Sequence, residues 1–70
     1  MNALHVAIET LGSRAELARR LNISSEAVRK WERTRIPAER CIEVERATGG
    51  VVTRQMLRPD LWQDDRRTAA

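Results

Sequence analysis

Ser25, Glu26, Arg29 and Lys30 lie within six consecutive residues, and together they offer hydroxyl, carboxylate, guanidinium and ammonium groups at helical spacing. An arginine presents a rigid fork of donors, a lysine a compact charge, a carboxylate only acceptors and a hydroxyl both. This set suits recognition rather than bond making, because base edges in a DNA groove present matching donors and acceptors. Arg14, Arg33 and Arg35 stand around the set, and guanidinium groups favour phosphate oxygens. From Arg14 to Arg35 there are seven basic residues against three acids, although the whole chain carries only +3. The positive excess therefore sits in one segment, and with a pI near 10.4 it points to an anionic partner.

Other chemistries find little support. His5 and Cys41 are the only residues of their types, and no HExxH, CxxC or glycine-rich phosphate loop occurs. No catalytic residues, metal site, cofactor or small-molecule substrate are expected, and the chain is read as a non-enzyme. A single cysteine suits a reducing cytoplasm, and no apolar run approaches the roughly 18 residues that span a membrane. The protein is accordingly expected to be cytoplasmic, with no membrane partner. The charged face from Ser25 to Arg33 also has a plainer explanation, a solvated surface on which Glu26 pairs with Arg29 or Lys30 at helical spacing.

These side chains need elements to hold them. Seventy residues, 41% hydrophobic and 33% charged, describe one globular domain, placed here at residues 1–62 with residues 63–70 as a disordered tail. Trp31 and Trp62 are the only aromatics, so the core must come from Leu, Ile, Val and Ala, which favours an all-α fold of about five short helices. Leu4, Ala7, Ile8 and Leu11 mark one face of a first helix, stopped by Gly12. Ser13 caps a second, with Glu16 placed to complete a capping box and Ala15, Leu17, Ala18 and Leu21 on its apolar side. Asn22-Ile23-Ser24 forms a tight turn, since Asn tolerates left-handed backbone angles, and Ser24 or Ser25 caps a third helix. Ala27, Val28 and Trp31 cluster on its inner side, which leaves Glu26, Arg29 and Arg33 pointing most directly outward.

Pro37 suits the first position of a fourth helix running to about Thr48, with Ala38, Cys41, Ile42 and the stem of Glu45 inward and Gly49-Gly50 at its end. Val51-Val52 reads as a short extended piece. Thr53 then caps a last turn through Met56 and Leu57, halted by Pro59. Cys41 reads as a small buried hydrophobe and His5 as a surface residue, while Trp62 fits either the core or a dimer interface.

A short capped helix, a three-residue turn and an amphipathic helix, with small Ala18 where the two helices cross, make a helix-turn-helix. The run Ala15-Glu16-Leu17-Ala18-Arg19-Arg20-Leu21-Asn22-Ile23-Ser24-Ser25-Glu26-Ala27-Val28-Arg29-Lys30-Trp31-Glu32 resembles the corresponding motif of lambda-repressor-like regulators. Ile36-Pro37-Ala38-Glu39-Arg40-Cys41, Glu45-Arg46-Ala47-Thr48-Gly49-Gly50 and Leu57-Arg58-Pro59-Asp60-Leu61-Trp62 extend the resemblance to the Cro-like YdaS antitoxin group of prophages. Asn22 stands where that group usually has Gly, and Glu26 where many members carry Gln or another neutral residue.

The resemblance implies a sequence-specific DNA-binding regulator, a Cro-like repressor that inserts the helix from about Ser25 to Arg33 into the major groove of double-stranded operator DNA. It matches Ser24, Ser25, Glu26 and Lys30 to base-reading positions, whereas helical angle favours Arg29. Arg14, Arg33 and Arg35 are the expected phosphate contacts, and a homodimer is the expected assembly. It also implies a second role, an antitoxin-like module that masks a protein partner.

Overall fold

The computed structural model describes residues 2–62, and among them it contains five α-helices and no strand. They are α1 (Ala3–Leu11), α2 (Arg14–Leu21), α3 (Ser25–Arg33), α4 (Ala38–Ala47) and α5 (Arg54–Leu57). The all-α expectation holds. The tail expected at residues 63–70 lies outside the described residues.

Local side chains write most of the helix starts. Asn2, Ser13, Ser24 and Thr53 each accept from a backbone N–H in the first turn that follows, at 2.8 to 3.3 Å. Such caps satisfy donors that have no partner inside the helix. Ser24 rather than Ser25 is the cap of α3. At Ser13 only half of the expected capping box forms, because the Glu16 carboxylate turns along the helix to Arg19 and Arg20. The reciprocal box occurs instead at Thr53, whose N–H donates to the Met56 sulfur at 3.5 Å. Pro37 stands one residue before its expected place, as the residue flanking α4, because its ψ of 149° is extended rather than helical.

Packing centres on α2, which touches α1, α3 and α4. Leu17 is fully buried and Ala18 is 2% exposed, beneath Val28 and Trp31 of α3 and Leu4, Ala7 and Ile8 of α1. Ala15, expected on the same face, is exposed, since it projects away from the stripe of Leu17, Ala18 and Leu21. The turn after α2 depends on Asn22, whose φ of 59° and ψ of 45° lie in the left-handed region. Ile23 N–H donates to the Ala18 carbonyl at 2.9 Å and Asn22 N–H to the Arg19 carbonyl at 3.2 Å, so the chain reverses direction with its carbonyls satisfied.

The inner face of α4 is rotated from its expected position. Cys41 and Val44 are fully buried and Thr48 nearly so, while Ala38, Ile42 and Glu45 are half-buried. The helix is covered by α2 and by the segment leading to α5, and this second cover draws Val44 inward. Val51-Val52 forms no extended piece; the chain bends there so that Val52 enters the core. Thr48 makes the bend possible, as its hydroxyl accepts from Val52 N–H at 3.1 Å and stands 3.1 Å from the Glu45 carbonyl. Glu45 itself accepts from the backbone and side chain of Arg54, at 2.9 and 3.0 Å, tying α5 to α4. Trp62 is half-buried and packs against the core, with the Arg54 guanidinium 6.0 Å from its ring centre.

Two substitutions test this packing. Ala18→Leu is expected to force α2 and α3 apart at a cost of about 1–3 kcal/mol, read in thermal unfolding as a fall of about 4–8 °C per kcal/mol. Thr48→Val strands the buried Val52 N–H and is expected to cost about 1–3 kcal/mol, whereas Thr48→Ser keeps the hydroxyl and most of the stability.

A basic helix-turn-helix face as candidate nucleic-acid interface

Burial of Val28 and Trp31 fixes the rotation of α3, and every outward position then becomes available to a partner. Glu26, Arg29, Lys30 and Arg33 are exposed along it, and Ser25 is half-buried at its first position. The Ser24 hydroxyl is occupied as the helix cap, accepting from Ala27 N–H at 3.3 Å, which leaves its hydrogen free to donate. Among the described residues none of Glu26, Arg29, Lys30 and Arg33 belongs to an ion pair. Glu26 therefore pairs with neither Arg29 nor Lys30, and the charged side chains of this face stand singly in solvent.

The three arginines expected at phosphates stand in different surroundings. Arg33 is on the last turn of α3, without an ion-pair partner among the described residues. Arg14 opens α2 and reaches across to Glu32 near the end of α3, its Nε donating to one carboxylate oxygen and its Nη2 to the other, the latter at 2.9 Å. This forked hydrogen bond, together with the charge of Arg14, holds the Glu32 carboxyl below its ordinary range. Arg14, Arg29, Glu32 and Arg33 line a surface cleft of about 310 Å³. Arg35 follows α3 and lies 3.5 Å from the Asp60 carboxylate.

Asp60 in turn is gripped by Arg58, at 2.9 Å from Nε and 2.8 Å from Nη2. Arg58 also donates to the Ile36 carbonyl at 2.8 Å, so it fastens the segment after α5 to the loop between α3 and α4. Spacing along the chain gives no sign of these couplings. Arg14 and Glu32 are 18 residues apart and Arg58 and Ile36 are 22 apart, and only the folded turn brings them together. Opposite charges at the start of one helix and the end of the next were the single available signal.

A short helix, a left-handed turn and a second helix with an unpaired basic face define this protein as a helix-turn-helix domain, and similarity to known proteins agrees. Residues 4–65 match the family described as bacterial toxin YdaS, and the chain belongs to that family. It is 41% identical over 66 residues to an Escherichia coli K12 protein named "Putative transcriptional regulator YdaS", a match covering 90% of this chain and 67% of that protein. It is also similar to the solved structure of the Cro protein from a proposed prophage element, Xfaso 1, of Xylella fastidiosa strain Ann-1. There the TM-score is 0.87 and the identity 46%, over 91% of this chain and all of that one. No helix among the described residues is long and apolar enough to cross a membrane.

The Asp60 clasp carries a pH dependence. The Arg58 hydrogen bonds lower the Asp60 carboxyl from 3.8 to about 2. A carboxyl depressed in the folded state contributes stability that is complete above its unfolded value and is lost as pH falls through its folded one. Thermal stability is therefore expected to drop between pH 4 and pH 2. Asp60→Asn is expected to flatten that part of the profile, with the melting temperature measured at each pH.

Proposed function

We propose that the protein is a DNA-binding transcriptional regulator that inserts α3 into the major groove of an operator and represses by occluding a promoter. The observation that carries this reading is the unpaired, outward row of Glu26, Arg29, Lys30 and Arg33 on a helix whose inner side is fixed by Val28 and Trp31. A major groove about 12 Å wide admits one such helix. Arg29 is the side chain best placed to bond guanine O6 and N7 together, a contact worth about 1–3 kcal/mol of discrimination. Glu26 suits cytosine N4, Lys30 a neighbouring acceptor, and Ser24 and Ser25 the edge of the groove. Arg33 holds one phosphate wall, with Arg14 and Arg35 beside it.

The names of the Escherichia coli and Xylella relatives support the regulatory and Cro-like parts of the reading. A homodimer on two half-sites one helical turn apart, about 34 Å, supplies specificity that a single small module lacks. The partner is double-stranded DNA, the setting is the cytoplasm and no catalytic step is involved.

A second reading is the antitoxin-like module that masks a protein partner, although the family's description names a toxin, the opposite member of such a pair. Such a role would use α4 or the Trp62 segment rather than α3.

Binding to duplexes selected from a random pool tests the first reading, and capture of a protein partner tests the second. Affinity should fall steeply with salt, since each neutralised phosphate contributes a slope of about 0.9. Arg29→Ala with Lys30→Ala should abolish preference for the selected sequence. Salt-insensitive binding, or preference surviving the double substitution, contradicts the DNA reading. A protein partner captured by the wild type, lost with Trp62→Ala and retained with the Arg29 and Lys30 pair replaced, supports the second role.

A further inference from the structure

The basic face contains an acid that the proposed function does not use. Glu32 sits on α3 beside Arg29 and Arg33, where a carboxylate opposes approach to a polyanion. Its side chain is only 22% exposed, and both its oxygens are taken by the fork of Arg14. The cleft between α2 and α3 thus gathers three guanidinium groups around one carboxylate. Arg14 and Glu32 are the first residue of α2 and the next-to-last of α3, so their bond joins the two helix ends that the turn leaves apart.

We propose that Glu32 is a specificity-determining positioning residue, which holds the Arg14 guanidinium at one place on the rim of the cleft so that only DNA docked in register can use it. The inference rests on the DNA-binding reading above. A free arginine at the start of α2 would swing to any nearby phosphate, and phosphate contacts carry no sequence information directly. Tethered by two hydrogen bonds, Arg14 keeps one position and one orientation. A backbone phosphate reaches its outer edge only when α3 already lies at the correct depth in the groove. The carboxylate also removes one unit of charge from the face, which weakens sequence-independent attraction. Both effects widen the gap between a matched site and other DNA.

Glu32→Gln keeps the shape and removes the charge, while Arg14→Lys keeps a cation and removes the fork. Each variant is compared with the wild type on a duplex selected by the wild type from a random pool and on a scrambled duplex of equal length, over a range of salt. Glu32→Gln is expected to lower the ratio of the two affinities about tenfold and to steepen the salt slope on the scrambled duplex by about 0.9, one extra phosphate contact. Arg14→Lys is expected to lower the ratio as well. If only the stability of the fold depends on the pair, melting temperatures fall while the ratio and the slope stay at wild-type values, and the proposal is overturned. Higher discrimination by Glu32→Gln overturns it equally, because the carboxylate then opposes docking at the matched site instead of guiding it. Should Glu32→Gln fail to fold, an unchanged ratio in Arg14→Lys has the same force. A wild type without salt-dependent binding to any duplex removes the DNA reading and this inference together, whereas wild-type discrimination retained in the variants removes the inference alone.

Discussion

The close approach of α2 and α3 at Ala18 governs the rest of the molecule. A methyl group at the contact lets Val28 and Trp31 settle against α2, and their burial fixes which way α3 faces. The approach also requires the chain to turn within three residues, which is why Asn22 must occupy the left-handed region and why its neighbours' N–H groups return to α2 carbonyls. With the angle set, Arg14 meets Glu32 at the cleft that Arg29 and Arg33 also line, and the basic row faces solvent. A larger residue at position 18 would disturb each of these in turn.

The same kind of charge stands in two different settings in this small domain. Arg14, Arg54 and Arg58 hold elements together, respectively α2 to α3, α5 to α4, and the segment after α5 to the loop before α4. Arg29, Lys30 and Arg33 have no such partners among the described residues and are exposed to solvent. Counting basic residues in the sequence does not separate these groups. Charge density correctly directs attention to the segment from Arg14 to Arg35, yet the fold decides which of its cations are committed internally. Arg35, drawn toward Asp60, lies between the two groups.

Features encoded within a turn or two of helix were legible in the sequence: the caps at Ser13, Ser24 and Thr53, the stops at Gly12 and Gly49, the left-handed Asn22 and the inward Val28 and Trp31. Each of these depends on a residue and its near neighbours. Placements set by the third dimension were not legible. Val44 rather than Ile42 lies fully inside because Val52 and α5 cover that flank of α4, a circumstance its own periodicity does not record. Ala15 is apolar but has nothing to pack against. The bonds from Arg14 to Glu32 and from Arg58 to Ile36 join residues that the sequence holds far apart. At the candidate interface, residue types and the outward direction were readable, whereas the engagement of Arg14 was not.

Side-chain caps begin four of the five helices, and this bears on how the protein reaches its fold. Each boundary is set by a residue that can act before any distant contact exists, and the connections between helices are short, so little entropy is lost in closing loops. Helical domains dominated by local contacts fold in microseconds to milliseconds. A domain of this kind is expected to fold without a slow loop-closing step, so its readiness is limited by synthesis and by any assembly it requires.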